Sequence, residues 1–291
     1  MIIDPQEFHV RELYGMLVGA VAPRPIAFAS TLNANGQPNL APFSFFNAFG
    51  ANPPILVFSP TRSGRTNQTK HSLNNVYDIK ETVINVVTYP MVQQMNLASA
   101  EYPEDVNEFD KAGFTPVASE RVTPYRVKES PVQMECKVNQ VVETGSGGTA
   151  ANLIIAEILL MHVNDSVLGD DGKIDPNKIR LVGRMGGSYY AKAFDEALFQ
   201  VPKPSAQGIG IDQLPDHIRN SKVLTGNDLG ILGGVDNLPS QEEINEFLQN
   251  GSEVSAFLDQ NRDNQEEIHT YAQQLIEQGK VDDAWKVLLA K

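Results

Sequence analysis

Three cations, Arg62, Arg65 and Lys70, fall within nine residues, with Thr66, Asn67, Thr69, Ser72 and Asn75 set among and after them. Cations mixed with hydroxyls and amides ahead of a helix N-terminus make a good phosphate cradle, because charge and directed donors then converge on one group. The same loop also reads as an ordinary solvated segment, and taken by itself it leaves both readings open. A second stretch, Asn39-Leu40-Ala41-Pro42-Phe43-Ser44-Phe45-Phe46-Asn47, sets the hydrogen-bonding groups of Ser44 and Asn47 between large aromatics. Its proline stiffens the backbone, as do those of Pro23-Arg24-Pro25 upstream.

Other motifs carry less. Gly145-Ser146-Gly147-Gly148-Thr149-Ala150 fits the G-x-G-x-x-A spacing of a dinucleotide fingerprint, with Asp165 about twenty residues past its start. That reading needs a helix directly after the loop, whereas the following Ile- and Leu-rich run lacks a polar face. A hairpin connection is therefore expected. The histidines, His9, His71, His162, His217 and His269, show no metal-ligand spacing, and the one cysteine, Cys136, adds no second thiolate. His162 reads as a structural residue at a strand end. No G-x-S-x-G elbow occurs, and the many carboxylates of the tail read as a solvated face.

The elements that would hold these residues are mostly strands. Residues 26–31 form a short apolar run that leads into Asn33-Ala34-Asn35-Gly36, and an Asn-Gly pair between extended segments signals a hairpin. Residues 55–58, bounded by prolines, suit a strand buried on both faces, and 83–87 read similarly. Val132, Met134, Cys136 and Val138 alternate with polar residues, which predicts a strand with one wet face. For residues 152–163 periodicity alone fits a strand or a helix. Residues 91–99 and 104–112 read as helices, the second closed by Gly113. Residues 185–197 form another candidate helix. Several strands with few helices between them point to a closed or half-closed antiparallel barrel.

Composition changes after Pro202-Lys203-Pro204. Residues 205–239 read as an extension wrapped over a surface, and Ser240-Gln241-Glu242-Glu243 opens a helix with capping-box spacing. From Asn264 onward, apolar residues at helical spacings flank Gly279, which predicts a helical hairpin. It resembles half of a tetratricopeptide-type repeat, and one such unit is too little for a solenoid. The predicted domains are therefore 1–204, 205–239 and an α-helical tail, 240–291. That tail reads as packing or oligomer surface, or else as a partner-docking element.

The chain of 291 residues has a net charge of -13, unevenly spread. Residues 1–100 carry six Lys and Arg against five Asp and Glu, whereas 205–291 carry six against fifteen. So acidic a surface argues against nucleic-acid and anionic-membrane partners, which bind through clustered cations. No run of apolar residues is long enough for a membrane span, and MIIDPQEFHV lacks the start of a signal peptide. A single cysteine excludes an intrachain disulfide. The expectation is a soluble, cytoplasmic protein.

The stretch PRPIAFASTLNANGQPNLAPFSFFNAFGANPPILVFSP resembles the opening of the flavin reductase-like proteins, whose fold is the FMN-binding split barrel. The similarity continues through Lys70-His71-Ser72-Leu73-Asn74-Asn75, where the family often shows K-D-T-x-x-N. It covers AEILLMHVNDSVL at 156–168, Arg184-Met185-Gly186-Gly187-Ser188-Tyr189-Tyr190, and Phe199 to Pro204. Residues 209–230 look like the extension of the longer members. The resemblance implies a mainly β, Greek-key antiparallel split barrel with added helices, working as a homodimer.

It also implies a site. Ser30 and Thr31 would approach the flavin, and Pro42, Phe43 and Ser44 would line its ring. Asn47 and Ala48 sit where members bind the ribityl–phosphate end. Arg65, Lys70 and Ser72 are the phosphate candidates, with Arg62 a further one. The implied activity is hydride transfer from NAD(P)H, a nicotinamide dinucleotide stacked over the ring, to N5 of FMN. Reduced flavin would then serve a monooxygenase, or electrons would pass to an acceptor protein. Flavin carries the redox chemistry, so the absence of a strong acid, base or nucleophile does not count against an oxidoreductase. Two rivals remain. One is a non-catalytic flavin-binding, flavoredoxin-like or interaction protein that uses the acidic tail. The other is pyridoxamine-phosphate oxidase activity, which needs a second basic cluster, and none appears along the sequence.

Overall fold

The computed structural model describes residues 1–201, 203 and 208–290. The chain divides into two compact units, Met1–Phe199 and Gln200–Lys291. Of the expected Pro202-Lys203-Pro204 boundary, both prolines lie outside the described residues, as do 205–207.

The first unit is built on a seven-stranded antiparallel sheet. Its early strands are β1 (Ala27–Leu32), β2 (Pro38–Phe43), β3 (Phe46–Ala51), β4 (Pro54–Phe58) and β5 (Glu81–Val86). Two short strands follow, β6 (Pro116–Val117) and β7 (Arg126–Val127), and then the long pair β8 (Val132–Glu143) and β9 (Asn152–Val163). The sheet order is β2-β1-β5-β8-β9-β4-β3. A separate hairpin joins β10 (Leu181–Arg184) to β11 (Tyr190–Ala193). The helices of this unit are α1 (Val10–Ala20), α2 (His71–Asp78), α3 (Val92–Leu97), α4 (Glu108–Ala112) and α5 (Pro176–Ile179).

Local chemistry explains the β1–β2 turn. Asn33 Oδ1 accepts from the backbone N–H of Asn35 and Gln37 at 3.0 and 2.9 Å, while Gly36 takes φ +77°, a conformation costly to residues with a Cβ. The sheet then buries Ala27, Ala29, Phe58, Ile84, Cys136 and Ile154 in one apolar cluster. Asn85, also fully buried, is satisfied: its amide donates to Phe28 O at 3.0 Å and accepts from Val127 N at 2.9 Å.

Within the first unit, the structure departs from the sequence reading at residues 185–197 and on one face of β8. Residues 185–197 form no α-helix; Tyr190–Ala193 pair with Leu181–Arg184 instead, and only a short 3-10 turn follows at Asp195–Ala197. Strand pairing overrides local helix preference there. The polar positions Gln133 and Glu135 of β8 are not wet, because the 118–127 segment covers them. Gln133 bonds the carbonyls of Val127 and Ser130, and Glu135 accepts from Glu120 N, Arg121 N and His162 Nε2.

The second unit is helical, with α6 (Asp216–Arg219), α7 (Gly226–Leu232), α8 (Gln241–Asn250), α9 (Ser252–Gln260), α10 (Gln265–Glu277) and α11 (Val281–Leu289). Where the sequence separates 205–239 from 240–291, the described part of the first segment shares one core with the second. Ile218, Leu224 and Leu232 are buried together with Ala272, Trp285 and Leu288. Helices of four and seven residues are too short to leave a periodic trace in the sequence. Ser240 and Glu243 form the expected reciprocal capping box.

Candidate functional site

A cleft of about 580 Å³ opens on the first unit. Strand β2 and the bend after it supply one wall with Asn39, Ala41, Pro42, Phe43, Ser44 and Phe45. The segment before α2 supplies another with Lys70, His71 and Ser72, and the loop between α3 and α4 closes a side with Glu101. One end is therefore rich in charge and hydroxyls, and the other is apolar with backbone groups. Such a donor set fits a ligand with an anionic tail and a flat ring system.

Of the residues singled out in the sequence, Pro42, Phe43, Ser44, Lys70 and Ser72 line this cleft. Ser30 and Thr31 lie behind the wall, fully buried. Thr31 Oγ1 accepts from Asn75 Nδ2 at 2.9 Å, and Asn39 Nδ2 donates to Ser72 Oγ at 2.8 Å, so a buried polar network sets the position of Asn39. Among the described residues Ser30 Oγ has no hydrogen-bond partner. Asn47 and Ala48 are exposed on β3, away from the cleft lining. Arg62 is drawn sideways: its guanidinium donates to Asn67 Oδ1 and Asn67 O at 2.9 and 2.7 Å.

Arg65 and Lys70 meet on one carboxylate. Lys70 Nζ is 2.5 Å from Glu101 Oε1, and Arg65 Nη2 is 3.0 Å from Glu101 Oε2. Lys70 first, with Arg65 adding to it, holds the Glu101 carboxyl below its usual range. Two cations thus converge on one carboxylate; Lys70 and Glu101 line the cleft, whereas Arg65, 83% exposed, is not among its lining residues.

The Gly145–Ala150 loop is the connection between β8 and β9, not a nucleotide fingerprint. It braces the cationic segment. Arg62 N donates to Ala150 O at 3.0 Å, Thr149 N to Arg62 O at 3.1 Å, and Asn67 Nδ2 to Ser146 O at 2.9 Å.

Several residues that shape the cleft carry no signal in the sequence. Glu108, 5% exposed, lines it and accepts from Leu40 N at 3.0 Å; burial raises its pKa, against the pull of that backbone bond. Tyr14 on α1 packs edge-on against Phe45 with ring centroids 6.2 Å apart. Arg24 is buried and donates to Val18 O and Val21 O at 2.6 Å, to Met185 O at 3.1 Å and to Ser44 Oγ at 3.4 Å. One guanidinium therefore ties the end of α1 and the β10–β11 turn to the cleft wall. Only the fold brings these partners together.

The sequence model described as the flavin reductase like domain matches residues 19–178. An uncharacterized protein of Aquifex aeolicus is 40% identical over 200 residues, covering 67% of this chain and 100% of that one. Among solved structures, component B of nitrilotriacetate monooxygenase from Bacillus cereus is 28% identical with a TM-score of 0.64, covering 69% of this chain and 98% of its own. A protein with a split barrel domain from Shewanella frigidimarina is 24% identical with a TM-score of 0.58, covering 70% and 99%. The fold is thus the split barrel, with helices added.

Proposed function

The chain belongs to the flavin reductase-like family, and from that premise we propose that its cleft binds FMN and that the protein transfers hydride from NAD(P)H to it. The observation that carries this reading is that two segments distant in sequence, Asn39–Phe45 and Thr61–Ser72, line one cleft with opposite character. Lys70, Arg65 and Ser72 hold the phosphate, with Arg62 steadying the loop. Pro42, Phe43 and Ser44 flank the ring. Thr31, through its network with Asn75 and Asn39, keeps the wall in place, and Ser30 lies beside it.

Bound FMN supplies the hydride-accepting ring, so the protein's part is to bind, orient and shield. Reduced flavin or its electrons go on to a partner, a monooxygenase or an acceptor protein. The working form is a homodimer. Val10, Tyr14, Leu17 and Val21 recur at helical spacing along α1 and its end, and all four are exposed. Exposed Phe49, beside Asn47 and Ala48 on β3, adds to the apolar surface.

Visible-band titration with FMN and with riboflavin tests the assignment. The double variant Lys70→Ala, Arg65→Ala weakens FMN by about tenfold or more, the scale of a lost charge-assisted contact, and leaves riboflavin nearly unchanged. Equal loss for both ligands sinks the phosphate assignment. Anaerobic NADH or NADPH then bleaches the FMN band stoichiometrically, and failure of both reductants rejects the hydride-transfer reading.

A further inference from the structure

The β10–β11 hairpin gathers cations that are scattered in sequence. Register sets Val182 opposite Lys192 and Arg184 opposite Tyr190, and Tyr89 N donates to Arg180 O at 2.9 Å, which brings Tyr89 alongside. Lys192 Nζ then lies 4.9 Å from the Tyr89 ring centroid. The Arg180 guanidinium lies 4.7 Å from that of Phe194, and the Arg184 guanidinium 4.8 Å from that of Tyr190. Among the described residues no carboxylate pairs with any of the three. In a chain of net charge -13 such a cluster is out of character.

A second cleft of about 330 Å³ opens at this place, and none of its lining residues lines the larger one. Tyr89, Gln93, Asn96, Arg184, Tyr190 and Lys192 face it, and no Asp or Glu does. Stacking on aromatic faces holds the cations in place; Arg184 Nη1 donates to Tyr189 O at 3.0 Å, and the rest of its guanidinium, with the Lys192 ammonium, is what the cleft offers an anion. Arg184 and Lys192 line the cleft and repel one another, so an anion between them relieves the repulsion. The volume suits a small molecule. The tyrosine rings and the two amides suit the face and the edge of a heterocycle.

We infer that this cleft binds a nucleoside monophosphate group, its phosphate on Arg184 and Lys192 and its base among Tyr89, Tyr190, Gln93 and Asn96. The group comes either from a free nucleotide or from the far half of a dinucleotide. The site stands independently of the flavin assignment.

Calorimetric titration of the full chain with 5′-AMP and with adenosine, without FMN and again in its presence, tests it. One AMP binds per chain, and adenosine binds about tenfold or more weaker, because it lacks the charge-assisted contacts. Lys192→Ala, an exposed position, weakens AMP by a similar factor with an unchanged circular dichroism spectrum; Arg184→Ala does the same. AMP that raises the KM for NAD(P)H marks the dinucleotide as the source, and AMP that leaves it unchanged marks a free nucleotide. No binding of AMP, equal binding of adenosine, or unaltered binding by Lys192→Ala overturns the site.

Discussion

Lys70 Nζ and Glu101 Oε1 lie 2.5 Å apart, so the cation proposed to meet a phosphate already has an anionic partner within the chain. Glu101 is about half exposed and sits in the loop between α3 and α4. It is bonded to both Lys70 and Arg65, and on the phosphate assignment proposed above an incoming dianion competes with it for them. The affinity measured for an anionic ligand is therefore a difference between two contacts.

Glu101→Gln removes the internal competitor. FMN affinity rises about two- to fivefold, the range expected for a surface pair worth up to ~1 kcal/mol, while riboflavin affinity stays the same. Titrations at two salt concentrations check this. Unaltered FMN affinity means that the carboxylate and the phosphate do not share a place.

Glu135 is fully buried. Burial pushes its carboxyl up, but the backbone N–H groups of Glu120 and Arg121, together with His162, outweigh burial and hold it below 4.5. Because the folded value is depressed, the stabilisation is complete above the ordinary carboxylate range and is lost as pH falls through the lowered value. Thermal melts taken downward from neutral pH show this loss in the native protein and a shallower one in Glu135→Gln. Glu135→Ala leaves the two backbone donors unsatisfied and costs about 2–4 kcal/mol at neutral pH. Parallel pH profiles for native protein and Gln variant contradict the assignment.

His269 of α10 is buried, contacts Ser221 Oγ at 2.8 Å through Nδ1, and stacks near His217 with ring centroids 6.3 Å apart. Burial, and then His217, lower its pKa from 6.5. The unfolded chain takes up this proton first on acidification. The stabilisation is therefore complete above about 6.5 and declines as pH falls towards the lower folded value. Trp285, the single tryptophan, is buried in the same core and donates to Leu232 O at 3.2 Å. Its fluorescence reports urea unfolding of this unit. The midpoint drops between about pH 7 and about pH 5, and His269→Gln removes most of that drop.

Gly183 on β10 faces Pro23, and a Cβ placed there would come within 2.6 Å of the Pro23 Cβ. The proline ring is rigid and cannot give way. Gly183→Ala destabilises the first unit by about 1–3 kcal/mol through overpacking. Calorimetric melting shows it, and the Trp285 signal does not move. An unshifted melt means that the strand yields without cost.

What the sequence discloses follows the range of the interactions involved. The Asn33–Gly36 turn, the Gly113 helix end and the Ser240–Glu243 box are local devices, and they are where expected. The segments 39–45 and 61–72 are legible as chemistry residue by residue, and only the family resemblance set them on one ligand; they do line one cleft. Glu101, Glu108, Tyr14 and Arg24 were not legible at all, since each gains its meaning from a partner far along the chain. Gln133 and Glu135 mislead for the same reason: alternation states which residues share a strand face, and nothing about what later covers that face. Residues 185–197 fail because a glycine pair and a short amphipathic run suit a hairpin as well as a helix.

The tip between β8 and β9 is bonded to Arg62 and Asn67, so it acts as a splint on the cationic segment. Hairpin tips ordinarily tolerate insertions and deletions. Here a change of even one residue in loop length would slacken the brace and blur the placement of the charges beyond it. That stretch is consequently a poor choice for grafting a tag or a label.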